Sequence, residues 1–105
     1  MSMPYKIERT EKANEQLRDI VLYRAEVTGN VDDGLELLDE LEKQINMLAS
    51  FPESGAPPRY ATLRARGYRV LIVEKQLVFY KVNRKTKTVV VHAVVDGRRD
   101  YLNLI

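Results

Sequence analysis

The segment from Gly67 to Val95, GYRVLIVEKQLVFYKVNRKTKTVVVHAVV, decides the fold of this chain. It contains three runs rich in Val, Ile, Tyr and Phe, which suit a pleated surface, and two short polar breaks separate them. The runs predict three consecutive antiparallel strands over 67–73, 76–82 and 88–95, which form a meander. Both alternating sets of side chains in the last run are mostly apolar, so we expect that strand to be central in the sheet.

Two amphipathic helices precede the meander. Thr10 is a candidate N-cap of the first helix, which ends at Gly29. The second helix follows Asn30 and stops before Pro52. Only a few residues connect the two, so we expect an antiparallel helical hairpin. The apolar stripes expected to face the core comprise Ala13, Leu17, Ile20, Val21 and Val27 in the first helix, and Leu35, Leu38, Leu41, Ile45, Leu48 and Ala49 in the second.

The remaining segments complete the predicted fold. A short mixed segment from Pro4 to Arg9 predicts an N-terminal strand. Residues 52–58 hold three prolines and predict a loop, and Tyr60 to Ala65 alternates weakly and predicts a further strand. The expected architecture is a single α+β domain over residues 1–105, in the order β-α-α-β-β-β-β. Its small antiparallel-rich sheet carries the helical hairpin on one face.

Composition excludes several classes of function. The chain has 105 residues and no cysteine, which excludes disulfides and thiolate nucleophiles. A single histidine, His92, argues against a histidine metal cluster, so we expect neither a metal nor a cofactor. No apolar run approaches the length of a membrane span, and residues 1–6 lack the apolar stretch of a signal peptide. We therefore expect a cytoplasmic protein with no membrane partner.

The net charge of +2 conceals a strong polarity along the chain. Residues 1–55 carry six Lys and Arg against twelve Asp and Glu, a net charge of −6. Residues 56–105 carry eleven against three, a net charge of +8. Such asymmetry indicates a charged partner, and nucleic acid is the first candidate for the basic half. The alternative is that the acidic helices are solvated and pair with the basic sheet inside the monomer.

Arginines mark both ends of the meander. Arg69 stands at its start and Arg98 and Arg99 just past its end, and we expect them to share one rim of the sheet that grips an anionic or acidic partner. Each has a structural alternative: Arg69 pairing with Asp96 or Asp100, and Arg98 and Arg99 as solvated turn residues. Tyr101 has the alternative of filling the core.

The order of several short motifs resembles a known family. A strand and a helical hairpin ending in LASFPESG (48–55) are followed by LRARGYRV (63–70), LVFYKV (77–82) and VVDGRRDY (94–101). From about Tyr5 to Tyr101 the chain is similar to the RelE/ParE superfamily, the toxins of type II toxin–antitoxin systems that act in growth arrest and plasmid stabilization. RelE-like members cut mRNA in the ribosomal A site, whereas ParE-like members inhibit DNA gyrase.

The RelE-like alternative implies a metal-independent, ribosome-dependent mRNA interferase. Arg69 and Arg98 would then neutralise charge at the phosphate, where a guanidinium fork fits well, and Tyr101 would replace the family's C-terminal tyrosine. The two lysines that RelE-like toxins use before the Gly-Tyr-Arg motif are replaced here by Tyr60 and Thr62.

The ParE-like alternative agrees better with the acidic hairpin and with the GRRDY ending. It implies a gyrase-binding surface without catalytic residues, for which Arg64, Arg69, Arg98 and Arg99 are the candidates. The resemblance also implies a cognate antitoxin that lays an amphipathic helix across the toxin, with or without an added strand, and that alone contacts operator DNA. A third alternative is a protein-interaction module without toxicity.

Overall fold

The computed structural model describes residues 3–105, so the first two residues of the expected domain lie outside the described ones. It confirms the α+β class. The elements, in chain order, are β1 (Lys6–Arg9), α1 (Glu11–Thr28), α2 (Val31–Met47), α3 (Ala61–Ala65), β2 (Arg69–Val73), β3 (Gln76–Asn83) and β4 (Thr88–Asp96), followed by a 3₁₀ turn at Leu102–Leu104.

The sheet has four strands in the order β1-β4-β3-β2. Strands β2, β3 and β4 form the expected antiparallel meander, and β4 lies inside the sheet as predicted. On its other side β4 pairs in parallel with β1, which covers only Thr88 to Val91. Farther along β4, the side chain of Gln16 in α1 hydrogen-bonds to the edge that β1 leaves uncovered. Its oxygen accepts the Val94 N–H at 2.9 Å, and its nitrogen donates to the Leu104 carbonyl at 2.9 Å.

The expected capping residues begin and end the helices. The Thr10 hydroxyl accepts the Ala13 N–H at 3.0 Å, and the Asn30 side chain accepts the Asp32 N–H at 2.9 Å. Gly29 ends α1 in the left-handed region with φ +68°, a conformation that glycine adopts without strain. The hairpin of α1 and α2 therefore forms where the sequence predicts it.

Two apolar clusters occupy the two faces of the sheet. The cluster under the helices includes Leu17, Leu41 and Tyr80, and the cluster on the opposite face includes Phe79 and Tyr101. Because neighbouring side chains in a strand point to opposite faces, Phe79 and Tyr80 enter different clusters.

Two members of the expected helical stripes are exposed. Val27 is 64% exposed and Leu35 is 49% exposed, so the prediction that they face the core is wrong. The buried side of α2 runs instead through Gly34, Leu37 and Leu41, which places Leu35 about 100° around the helix from Gly34.

The predicted strand over Tyr60 to Ala65 is wrong, because this segment forms the short helix α3. The Tyr60 carbonyl accepts the N–H groups of Leu63 and Arg64, both at 3.1 Å, and Leu63 is buried against the sheet. The edge of β2 is bridged instead by Ala56, which exchanges two backbone hydrogen bonds with Val70 at 2.9 Å. The element order is therefore β-α-α-α-β-β-β.

Candidate functional site: two separate arginine sites

Arg69 holds the proline-rich loop against the start of β2. Its Nη2 atom donates to the carbonyl oxygens of Glu53 at 2.8 Å and Gly55 at 2.6 Å, and its Nε atom is buried. The hydroxyl of Tyr80, on the neighbouring strand, accepts the Gly55 N–H at 2.9 Å. Arg69 is thus bound to backbone carbonyls of the loop, and the alternative pairing with Asp96 or Asp100 is wrong.

A positively charged cleft of about 290 Å³ lies beside this loop, and we call it the loop-side arginine site. Arg64 donates from Nη1 to the carbonyls of Pro58 and Arg59, at 2.7 and 2.8 Å, and Arg84 forms an ion pair with the Glu53 carboxylate. The residues that line the cleft are Glu53, Pro57, Arg64, Gly67, Tyr68, Arg69, Val82 and Arg84. Three guanidinium groups against one carboxylate give the cleft a net positive charge.

Arg84 is the member of this site that the sequence analysis missed. It follows Tyr80 and Val82 at intervals of two, and both of these residues belong to the cluster under the helices. Alternation along β3 was the signal that could have placed Arg84 on the same side of the sheet as Arg69, which pairs with Tyr80.

Arg98 lies in a second site, which we call the turn-side arginine site. Its Nε and Nη2 atoms donate to the two carboxylate oxygens of Asp96, at 3.0 and 2.6 Å, and its backbone N–H donates to the same side chain at 2.8 Å. These hydrogen bonds from Arg98 lower the pKa of Asp96 to about 2, and the carboxylate in turn raises the pKa of Arg98. Arg99 is exposed beside this pair, so both arginines border solvent.

The two arginine sites are separated along the sheet. Arg69 pairs with Tyr80 near the middle of β3, whereas Asp96 pairs with Gln76 at the first residue of that strand. At about 3.3 Å per residue, these pairings stand roughly 13 Å apart along the strand. The expectation of one shared rim is therefore wrong.

Tyr101 is part of the core. It is only 7% exposed, packs edge-on against Tyr60 at 5.6 Å between ring centroids, and lies 5.5 Å from the Phe79 ring. Burial raises the pKa of its hydroxyl. Because Tyr101 belongs to the face opposite the helices and Arg69 pairs with helix-side Tyr80, the residues implied for mRNA cleavage, Arg69, Arg98 and Tyr101, are not brought together.

His92 occupies a third environment. Its ring stands edge-on to the Tyr68 ring at 5.5 Å, and the Lys81 ammonium lies 4.5 Å from the centroid of that same Tyr68 ring. Burial, followed by the positive charges of Lys81 and Lys12, lowers the pKa of His92. Among residues 3–105, no helix is long and apolar enough to cross a membrane.

Comparison with known proteins agrees with this architecture. The family model described as "ParE toxin of type II toxin-antitoxin system, parDE" matches residues 7–101. The chain has no significant sequence match among curated proteins.

Three solved structures share the fold at low sequence identity. A chromosomal ParDE toxin–antitoxin system from P. aeruginosa aligns with a TM-score of 0.72 and 18% identity, covering 90% of this chain and 98% of the other. The RelBE2 toxin–antitoxin complex from Mycobacterium tuberculosis gives 0.66 and 16%, with 91% and 94% covered. A mutant of E. coli toxin RelE in the free state gives 0.65 and 14%, with 97% and 90% covered. Since the family model spans nearly the whole chain, this protein belongs to the ParE toxin family of type II toxin–antitoxin systems.

Proposed function

We propose that this toxin arrests growth by binding DNA gyrase, and that a cognate antitoxin neutralises it. The observation that carries the proposal is the position of Tyr101, which is buried on the face of the sheet opposite Arg69. A toxin that acts by binding needs only a complementary surface, whereas one that cleaves RNA needs proton-transfer groups at the phosphate.

Tyr101 and His92 do not form an acid–base pair at the arginines. RNA cleavage through the 2′-hydroxyl requires a base for that hydroxyl and an acid for the leaving oxygen, both within hydrogen-bonding reach. Tyr101 is enclosed by Tyr60 and Phe79, and the His92 ring packs edge-on against Tyr68, a residue that lines the loop-side arginine site. These placements favour the binding mechanism over the nuclease mechanism.

The charge of the helical hairpin also favours a protein target. Helices α1 and α2 carry ten Asp and Glu against four Lys and Arg. A ribosomal target surrounds its ligand with RNA phosphates, which repel an acidic surface. Gyrase presents protein surface as well as DNA, and the exposed Arg98 and Arg99 supply a surface for acidic protein groups.

The antitoxin partner is proposed by analogy. The P. aeruginosa structure is described as a ParDE toxin–antitoxin system and the M. tuberculosis structure as a toxin–antitoxin complex. We infer an antitoxin that covers arginines of this toxin and that alone contacts operator DNA. The site of action is the cytoplasm, where gyrase works.

Two parallel assays test the proposal. The purified toxin is added to gyrase with relaxed plasmid, and separately to translating ribosomes with a reporter mRNA. We expect loss of supercoiling, intact mRNA, and recovery of supercoiling when the antitoxin is added. Ribosome-dependent cleavage with normal supercoiling would instead establish the mRNA interferase, and the arginine cleft beside Arg69 is the feature that suits that alternative. If expression leaves growth unchanged and neither assay responds, the protein is a non-toxic interaction module.

A further inference from the structure

The solvent side of the helical hairpin carries an apolar strip that the proposed function does not use. Leu22 on α1 is 59% exposed, and Val31 and Leu35 on α2 are 68% and 49% exposed, with half-buried Leu38 beside them. We call these four residues the outer hairpin strip. Contiguous exposed apolar surface on a small protein commonly marks an interaction site.

The close approach of the two helices assembles this strip. Gly34 forms the contact: a Cβ atom placed there would stand 2.8 Å from the Val21 carbonyl oxygen and 3.1 Å from the Ala25 Cβ. Leu22 is one residue past Val21, and Leu35 one residue past Gly34, each turned about 100° from the contact line. Residues such as Leu17 and Leu37 occupy the sides of the helices that face the sheet, so Leu22 and Leu35 lie on the opposite, solvent side. The strip therefore straddles the seam between α1 and α2.

Acidic residues surround the strip. Helical spacing places several carboxylates on the outward side of the hairpin, together with the cations Arg18 and Lys43. The carboxylates include Glu15, Asp19, Glu26, Asp32, Asp39 and Glu42. All six but the half-buried Glu42 are exposed. The surface is therefore apolar along its centre and negative along its border.

We propose that this outer hairpin face docks a basic amphipathic helix of another protein. A third helix fits the groove between two antiparallel helices, with its own apolar stripe on Leu22 and Leu35 and its lysines or arginines against the acidic border. Such a helix is complementary to both the apolar centre and the acidic border of the face.

The charge pattern favours a basic helix over a second copy of this chain, nucleic acid or an anionic lipid surface. Two copies of the hairpin packed strip to strip would bring their acidic borders together, which opposes self-association. Nucleic acid and anionic lipid surfaces are repelled for the same reason. The face shares no residue with either arginine site, so the proposal does not depend on the identity of the toxin's target.

A pair of synthetic helices tests the proposal on the full-length protein. Both peptides carry the same leucine stripe over about four helical turns, one flanked by lysines and the other by glutamates. Fluorescence anisotropy of labelled peptide measures binding. We expect the lysine peptide to bind and the glutamate peptide to bind at least tenfold more weakly, a difference of about 1.4 kcal/mol.

Three variants of the toxin locate the binding. Leu22→Ala with Leu35→Ala should weaken the lysine peptide at least tenfold, whereas Ile72→Ala, an exposed apolar residue on the sheet edge, should leave binding unchanged. Asp19→Lys with Asp39→Lys should reverse the preference toward the glutamate peptide. Circular dichroism checks that each variant folds.

Three results would overturn the proposal. The first is equal affinity for the two peptides. The second is binding that survives both double substitutions in folded protein. The third is a wild-type dimer in sedimentation velocity that the Leu22→Ala and Leu35→Ala substitutions dissociate, because the occupant would then be a second copy of this chain.

Discussion

The hydroxyl of Tyr80 accepts the backbone N–H of Gly55 at 2.9 Å, and this tyrosine has no exposed surface. The same contact explains the glycine, since a Cβ at position 55 would stand 2.6 Å from the Tyr80 hydroxyl and 2.7 Å from the Val70 carbonyl. A buried strand residue thus fixes the loop that Arg69 also holds.

Tyr80→Phe should therefore destabilise the protein by about 1–3 kcal/mol, because the buried Gly55 N–H loses its acceptor. Urea denaturation followed by circular dichroism measures the free energy of unfolding. Tyr23→Phe is the matched control: Tyr23 is 65% exposed, so its change should stay within about 0.5 kcal/mol. Equal stability of the Tyr80→Phe protein and the wild type would show that water replaces the lost acceptor.

Gly34→Ala should destabilise the protein by about 1–3 kcal/mol, because the new methyl group meets the Val21 carbonyl at 2.8 Å and pushes the helices apart. The measurement is again the free energy of unfolding. Glu36→Ala, at an exposed position of the same helix, provides the comparison and should change it by less than about 0.5 kcal/mol. A Gly34→Ala variant as stable as the wild type would mean that α1 and α2 can move apart at Gly34 without a cost in stability.

The carboxyl group of Asp96 should titrate with a pKa of about 2 in the folded protein, below its ordinary value of 3.8. Because the folded-state pKa is depressed, the stabilisation is fully present above about pH 4 and is lost as the pH falls toward 2. The Arg98 side chain is 62% exposed, so solvent screens the ion pair and its contribution to the free energy of unfolding is small.

Carbon-detected NMR of the Asp96 carboxyl measures this pKa directly. Arg98→Ala should raise it toward 3.8, whereas Arg99→Ala should move it much less, since the hydrogen bonds come from Arg98. An Asp96 pKa unaffected by Arg98→Ala would refute the assignment of the shift to that pair.

Arg98→Ala together with Arg99→Ala should abolish toxicity while the protein stays folded, because both side chains are exposed at the turn-side site. Growth after induced expression, and gyrase inhibition in vitro, provide the readouts. Lys43→Ala with Lys85→Ala removes the same amount of charge elsewhere on the surface and should leave toxicity intact. Full toxicity of the folded arginine double variant would remove this site from the mechanism.

Arg69→Ala should lower toxicity in part and destabilise the protein by about 1–3 kcal/mol, because the Glu53 and Gly55 carbonyls lose their donor. Thermal unfolding and growth arrest are compared with those of Arg66→Ala, whose side chain is exposed. If Arg69→Ala behaves like Arg66→Ala in both measurements, the loop does not require this guanidinium.

The parts of the fold that follow from local chemistry were predictable from the sequence. Thr10, Gly29 and Asn30 cap the helices as expected, because capping depends on the residue and its immediate neighbours. Helix α3 was missed because five residues hold too few apolar positions to separate a strand period from a helical one.

The candidate site was harder to predict, for a different reason. Arg69 binds backbone carbonyls, and a carbonyl acceptor is present at every residue and leaves no trace in the sequence. The separation of Arg69 from Arg98 follows from strand direction. Arg69 begins β2, Arg98 follows β4, and these two strands run in the same direction because both are antiparallel to β3. The positions of the arginines along the chain gave no information on the distance between Arg69 and Arg98 in the fold.

The parallel pairing of β1 with β4 has a consequence for synthesis of the protein. Strand β1 is translated well before its parallel partner, Thr88–Val91 of β4. Until that segment is translated, β1 has no strand to join, and the nascent polypeptide holds its helices without a completed sheet. Loop closure over so long a separation slows folding, so this toxin completes its sheet only after Thr88–Val91 has been translated.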